Sequence, residues 1–241
     1  MARLGRSQPY RPKHKRPDLG PVYFDNSSTS TYEAALSTYN FSHTVGSNSN
    51  RLLVVGVSIF AAGNVTSITY GVVALTKLRH DVTGAYRSEI WYLIAPSSGT
   101  DTITVNLSAS LTSIAGGASW WNVDQTDPFS ANAGGTGTNT PASAAVTPGS
   151  SLNRVFGNLA AQTNSGVTDQ VRQAQHYTAS GALGSQIGSE LGIIMSAAST
   201  TLQWDGIGTV DSWAISLGAI QPPQPVVSPY AGGFLLLGIG G

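Results

Sequence analysis

The segment Leu52-Leu53-Val54-Val55-Gly56-Val57-Ser58-Ile59-Phe60 constrains the fold more than any other stretch of this chain. It is shorter than an ordinary helix, rich in β-branched residues, and apolar at consecutive positions. Successive side chains of a strand point to opposite faces, so such a run predicts a central strand covered by protein on both sides. Gly56 inside the run predicts a close approach by a neighbour or a local kink.

Other segments carry the strand pattern in its half-buried form. In Asp101-Thr102-Ile103-Thr104-Val105-Asn106-Leu107 the apolar residues Ile103, Val105 and Leu107 alternate with polar ones, the period-2 signature. Tyr39–Val45, Val65–Tyr70, Val73–Leu78, Ser88–Ile94 and Ser113–Trp121 read as strands, as do Ala142–Val146, Leu152–Ala160, Val167–Tyr177, Leu191–Ala197 and Ser212–Ala219. Asn122–Thr140 reads as a long loop with Gly134, Gly135 and Gly137 near its tip. Thr31–Ser37 reads as one helical turn at most, and no long stretch shows helical periodicity. Only 10% of residues are charged, far below the usual quarter, while 28 are Gly. That composition suits strands and tight turns and suits long solvent-facing helices poorly. The expectation is an all-β chain: a single antiparallel β-sandwich or jelly-roll domain over residues 22–220, with an extended N-terminal arm and a C-terminal tail.

The two ends differ from the body. Residues 1–21 form a basic, proline-rich arm. Its first 20 residues hold Arg3, Arg6, Arg11, Lys13, Lys15 and Arg16 against Asp18, a net +5, and the remaining residues hold six basic and eleven acidic groups, a net −5. Pro9, Pro12, Pro17 and Pro21 deny the arm helix and ladder hydrogen bonds. Residues 221–241 begin with the stiff Gln221-Pro222-Pro223-Gln224-Pro225 and continue into an apolar tail containing Phe234, Leu235, Leu236 and Leu237. An apolar segment of this kind needs a covering surface, either its own body or a neighbouring subunit. It is much shorter than the roughly 20 residues of a membrane helix. No apolar stretch of signal-peptide type follows the basic start, so the expected place of synthesis is a bacterial cytoplasm, without export.

The segments Asn50-Arg51-Leu52-Leu53-Val54-Val55-Gly56-Val57, Val65-Thr66-Ser67-Ile68-Thr69-Tyr70-Gly71, Val73-Ala74-Leu75-Thr76, Glu89-Ile90-Trp91-Tyr92-Leu93, Val123-Asp124-Gln125-Thr126-Asp127-Pro128-Phe129 and Asp211-Ser212-Trp213-Ala214-Ile215 together resemble a loosely defined group of β-sandwich domains. That group is found in tailed-phage virion structural proteins and in bacterial surface proteins. The opening Met1-Ala2-Arg3-Leu4-Gly5-Arg6-Ser7-Gln8-Pro9 is similar to the start of small phage structural proteins. The resemblance implies a structural protein of the virion, a capsid decoration or auxiliary protein anchored by its end segments. The partners implied are capsid or other virion proteins and further copies of the chain. The alternative it leaves open is a carbohydrate- or receptor-binding module of a tail fibre or a bacterial surface.

The residues able to carry chemistry point away from an enzyme. With no cysteine, thiol nucleophiles, disulfides and Cys-based zinc sites are excluded. His14, His43, His80 and His176 have no metal-ligand spacing. Glu33, Glu89, Glu190 and nine Asp supply the carboxylates, without a pattern that pairs two of them across a cleft. No Gly-x-Ser-x-Gly elbow is present, and Gly134-Gly135-Thr136-Gly137 is not followed by the Lys of a phosphate loop. Asp124 and Asp127 are weak candidates for a calcium site, since Asp before Pro more often makes a turn; no cofactor is expected. Trp120 and Trp121 are candidates for stacking a glycan, with adjacent strand positions predicting one of them inside and the other outside. The six basic residues of the arm suit an acidic protein surface better than nucleic acid, because only Tyr10 is interleaved and no reading module accompanies them.

Overall fold

In the computed structural model, which describes residues 20–163, 166–170, 172–191, 198–209 and 211–224, the run Leu52–Phe60 is a strand buried at all nine positions. Its odd residues Leu53, Val55, Val57 and Ile59 enter one core with Val45, Ile68, Ile103 and Val105. Its even residues Leu52 and Val54 enter another with Trp120, Phe156 and Ile220. Each fully buried Leu, Ile or Val contributes about 1.5–3 kcal/mol of transfer free energy, so this one strand ties two cores together.

The strands in chain order are β1 (Tyr23–Thr29), β2 (Glu33–Val45), β3 (Leu52–Phe60), β4 (Val65–Tyr70), β5 (Val73–Ala74), β6 (Thr76–Thr83), β7 (Tyr86–Ile94) and β8 (Gly99–Trp121). They continue with β9 (Phe129–Gly137), β10 (Ala142–Val146), β11 (Arg154–Ala161), β12 (Thr168–Asp169), β13 (Gln173–Gly181), β14 (Gly184–Leu191), β15 (Thr200–Asp205) and β16 (Trp213–Ile220). All pairings are antiparallel, and no helix occurs among the described residues. The all-β antiparallel expectation holds, and the compact unit runs from Gly20 to Pro223.

β8 organises the first half. Its N-terminal part pairs with β2 and β4, and its C-terminal part with β1 and β3. Ser108, Ala109 and Ser110, between the two parts, are exposed. The walls so formed enclose a core that takes Tyr39 from β2, Ile68 from β4 and Val55 from β3.

The same pattern then occurs a second time. β9 pairs with β16 as β1 does with β8, β10 with β15 as β2 with β8, and β12 with β15 as β4 with β8. β11 lies between β14 and β16 as β3 lies between β7 and β8, and β13 pairs with β14 as β6 with β7. Strands β15 and β16 together play the part of the single β8. Even the irregularities match: ladders slip at Asp25 and at Ser130, and again at Leu78 and at His176. At the first pair, the Gly46 N–H donates to Asp25 Oδ2 (2.8 Å) and the Gly149 N–H to Ser130 Oγ (3.1 Å). Residues 23–220 therefore form two repeats of one strand pattern, each with its own core, the second built around Leu159, Ile187, Trp204 and Leu217.

The repeats pack through equivalent faces. Register places Gly56 opposite its counterpart Asn158, and Ser88 corresponds to Gln186. Ser88 Oγ donates to Asn158 O (2.8 Å), and Gln186 Nε2 donates to Gly56 O (3.1 Å). When i of one unit meets j of the other and j meets i, the relation is that of a two-fold axis. The expected close approach at Gly56 is met by Asn158 and the Tyr177 hydroxyl, which leave no room for a Cβ.

Several expected boundaries change. Thr31–Ser37 is not a helical turn: from Glu33 it is the irregular start of β2, where the ladder slips twice and Ala35 has φ 54°. Asp101–Leu107 and Ser113–Trp121 are parts of one continuous strand. Asn122–Thr140 is not one loop, because β9 lies within it. β9 is all small or polar after Phe129 and takes its order from the ladder to the buried β16. Val73–Leu78 divides into β5 and the start of β6, and Val167–Tyr177 into β12 and the start of β13. Of Leu191–Ala197, residues 192–197 lie outside the described residues, and β14 and β15 flank them.

Candidate functional site: the pole where both end segments leave

Gly20 and Gln221, the two ends of the body, meet at one place, the connection 122–128 between the repeats. Asn122, with φ 59°, turns its side chain so that Nδ2 donates to Gly20 O (2.8 Å) and Pro21 O (3.0 Å). Its own N–H donates to Ser49 O (3.3 Å). At the other end the Asp124 N–H donates to Gln221 O (2.9 Å), the Gln221 N–H to Pro128 O (2.9 Å), and Gln221 Nε2 to Asp127 O (2.7 Å). Seven consecutive residues, 122–128, thus hold Gly20 and Gln221, the two ends of the body. The strand order requires this, since β1 and β9 begin, and β8 and β16 end, at the same pole.

A buried ionic cluster backs the clamp. Arg154 Nε donates to Val22 O (2.8 Å), and its Nη1 donates to Glu190 Oε1 (2.8 Å). Glu190 Oε2 accepts the Trp120 indole N–H (2.7 Å) and lies 3.4 Å from His176 Nε2. Burial works to raise the Glu190 pKa, but His176, Arg154 and the indole overcome it and hold the carboxyl below its ordinary value. Phe24 stacks on His176 at 4.1 Å. Removing one member of such a cluster is strongly destabilising, because a buried charge is then left uncompensated. Val22, at the root of the N-terminal segment, is thereby fastened to both repeats.

The residues singled out from sequence fall out as follows. Arg3, Arg6, Arg11, Lys13, Lys15 and Arg16 of the arm, and Phe234, Leu235, Leu236 and Leu237 of the tail, lie outside the described residues. Asp124 makes a turn: its Oδ1 accepts the N–H groups of Thr126 (2.8 Å) and Asp127 (3.0 Å). Among the described residues no three His, Asp or Glu groups gather as a metal site. Trp120 is fully buried and has no face for a sugar, which removes it as a stacking residue. The next residue along the strand, Trp121, points the other way, as adjacent strand residues must, and stacks on the 36% exposed Tyr23 at 4.2 Å. This aromatic pair stands beside Gly20, within the clamp.

Sequence reading missed a second buried carboxylate with its cations. Glu89 is fully buried; Oε2 accepts from Lys77 Nζ (2.9 Å) and Trp91 Nε1 (2.9 Å), and Oε1 from the Val65 N–H (3.2 Å) and Arg87 Nε. Every lone pair in reach is used, so this carboxylate braces β4, β6 and β7 against one another. The sequence carries only a faint trace of the repeat, Asn50-Arg51 and Asn153-Arg154 at the entrances of the two buried strands, one place out of ladder register, and it marks neither Glu89 nor its cations. No family model, curated protein or solved structure matches this chain.

Proposed function

We propose that the chain is a structural protein of a tailed-phage virion, a capsid decoration or auxiliary protein whose rigid double body is held on the particle by its end segments. The observation that carries this reading is the shared pole: Gly20 and Gln221, beyond which the sequence runs into the basic, proline-rich arm and the apolar tail, are held by one hydrogen-bonded clamp at 122–128. Two segments rooted at one pole can engage one partner surface together, and the second contact then forms at high effective concentration. Positive charge on one segment and apolar side chains on the other suit a protein partner with an acidic and an apolar patch. Few charges and mostly small polar residues on the rest of the body suit a surface that faces outward.

The test is an add-back experiment. Full-length protein, a form lacking residues 1–20 and a form lacking 222–241 are mixed with particles stripped of this protein and sedimented. Co-sedimentation of the full-length form, weakened by either deletion, is the expected result. Failure of the full-length form to sediment would remove the virion reading.

The Tyr23–Trp121 pair supports a second reading, a glycan-binding module. Quenching of tryptophan emission by a glycan, abolished by Trp121→Ala, would favour it over anchoring.

A further inference from the structure

A chain of four hydrogen-bonded side chains crosses the first repeat at the seam between β1 and β2, which both pair with β8. Ser28 Oγ lies 2.9 Å from His43 Nδ1, His43 Nε2 lies 3.1 Å from Ser119 Oγ, and Ser119 Oγ donates to Asp25 Oδ2 (2.8 Å). The direction of every bond follows from Asp25. A carboxylate only accepts, so Ser119 spends its proton on Asp25 and must accept from His43. His43 therefore carries its proton on Nε2, which leaves Nδ1 as an acceptor, and Ser28 donates into it. The His43 imidazole is fully buried, and burial pushes its pKa down to about 4 against the pull of Asp25, so at neutral pH it is an uncharged base. Ser28, the last member of the chain, is half-buried.

The fold does not need this arrangement. Ladder register assigns Ala133 to the place of Ser28, Ala219 to that of Ser119, and Ser130 to that of Asp25. The inward-facing residues of β10 are Ala142, Ala144 and Val146 where β2 has His43. The second repeat thus closes the same seam with alanine and valine, and burying a polar chain in place of an apolar one is not favoured by stability alone.

We propose that Ser28 is a nucleophile activated by His43, with Ser119 and Asp25 as positioning residues, and that it is acylated by activated esters. This is the logic of a serine–histidine–carboxylate triad with one hydroxyl interposed between base and carboxylate. In the step, Ser28 Oγ forms a bond to the acyl carbon while its proton passes to His43 Nδ1. The acyl–oxygen bond to the leaving group breaks, and a leaving group of phenolate type departs as the anion. One water then cleaves the acyl-serine, returning Ser28 and releasing a carboxylate and protons to solvent. The proposal goes beyond the anchoring reading and does not depend on it.

The test uses the full-length protein and a fluorophosphonate probe, with the modified residue located by peptide mass spectrometry. The expected result is labelling at Ser28 above all other serines, none at this position in Ser28→Ala, and a rate lower by at least about tenfold in Ser119→Ala. Ser119→Ala copies the second repeat's Ala219, so its melting temperature serves as the control for folding. A readout that packing alone would not move is the ¹⁵N shift pattern of His43, expected to show the Nε2–H tautomer in the parent and a mixture of tautomers in Ser119→Ala. Labelling no faster at Ser28 than at other serines, or a rate and tautomer unaffected by Ser119→Ala, would overturn the proposal.

Discussion

Acidification between pH 7.5 and 4.5 tests the electrostatics of the first repeat through His43. The ring is buried with its two nitrogens on Ser28 and Ser119, and its pKa falls from an ordinary 6.5 to about 4. A histidine whose folded pKa lies below its unfolded one takes up its proton first in the unfolded chain. Its contribution to stability is complete above pH 6.5, declines as the pH falls, and is gone below pH 4. With those two values, the difference between pH 7.5 and 4.5 is about 2.5 kcal/mol. Carboxylates also titrate near the lower end, so the comparison that isolates His43 is the same pair of denaturation curves for His43→Leu, which has the side-chain class used on β10. The substitution has its own cost from the lost hydrogen bonds, but that cost is the same at both pH values. The expected outcome is a stability loss on acidification that is smaller in His43→Leu than in the parent by about 2.5 kcal/mol. Equal losses in the two proteins, or an NMR titration placing the His43 pKa at 6 or above, would refute the argument.

Three further outcomes follow from the packing. Gly56→Ala puts a Cβ against the Tyr177 hydroxyl and the Asn158 amide at the repeat interface, and a loss of about 3 kcal/mol or failure to fold is expected in urea denaturation. Glu89→Gln leaves Lys77 and Arg87 without their buried counter-charge and should cost about 3 kcal/mol, falling somewhat as salt is added because both cations reach solvent. Trp120→Phe removes the indole N–H from Glu190 and should cost about 2 kcal/mol, whereas Trp121→Ala, on the outer face, should cost less; thermal melts of the two rank them. Calcium or a chelator should leave the melting temperature unchanged, since the Asp124 carboxylate caps its own turn.

The strands legible in the sequence were those whose own side chains carry the pattern. Leu52–Phe60 announced a doubly covered strand, and Asp101–Leu107 announced its inward face, because alternation is a property of the local chain. Trp120 and Trp121 were assigned to opposite faces on the same ground. Strand β14, Gly-Ser-Gln-Ile-Gly-Ser-Glu-Leu, gave no such sign although it is buried at seven of its eight positions. Its small and polar residues are buried by neighbours distant in sequence: Gln186 bonds Gly56 and Gly184 meets Phe60 of the other repeat, while Gly188 lies against the Tyr177 ring of β13 and Ser189 accepts the Trp204 indole N–H within its own repeat. A residue's polarity records what a face must satisfy, and at the repeat interface that demand comes from backbone carbonyls of β3 and β11 far away in sequence.

The candidate sites divide in the same way. Composition showed unlike ends and the absence of thiol chemistry, which need no neighbours to establish. That residues 122–128 hold the roots of both end segments was decided by tertiary structure, because Gly20 and Gln221 meet only after both repeats have closed. So was the Ser28–His43–Ser119–Asp25 chain, whose members are spread from β1 to the end of β8. Sequence fixes side-chain chemistry and local periodicity; which polar groups face one another depends on ladder register, and register is set by packing across the whole fold.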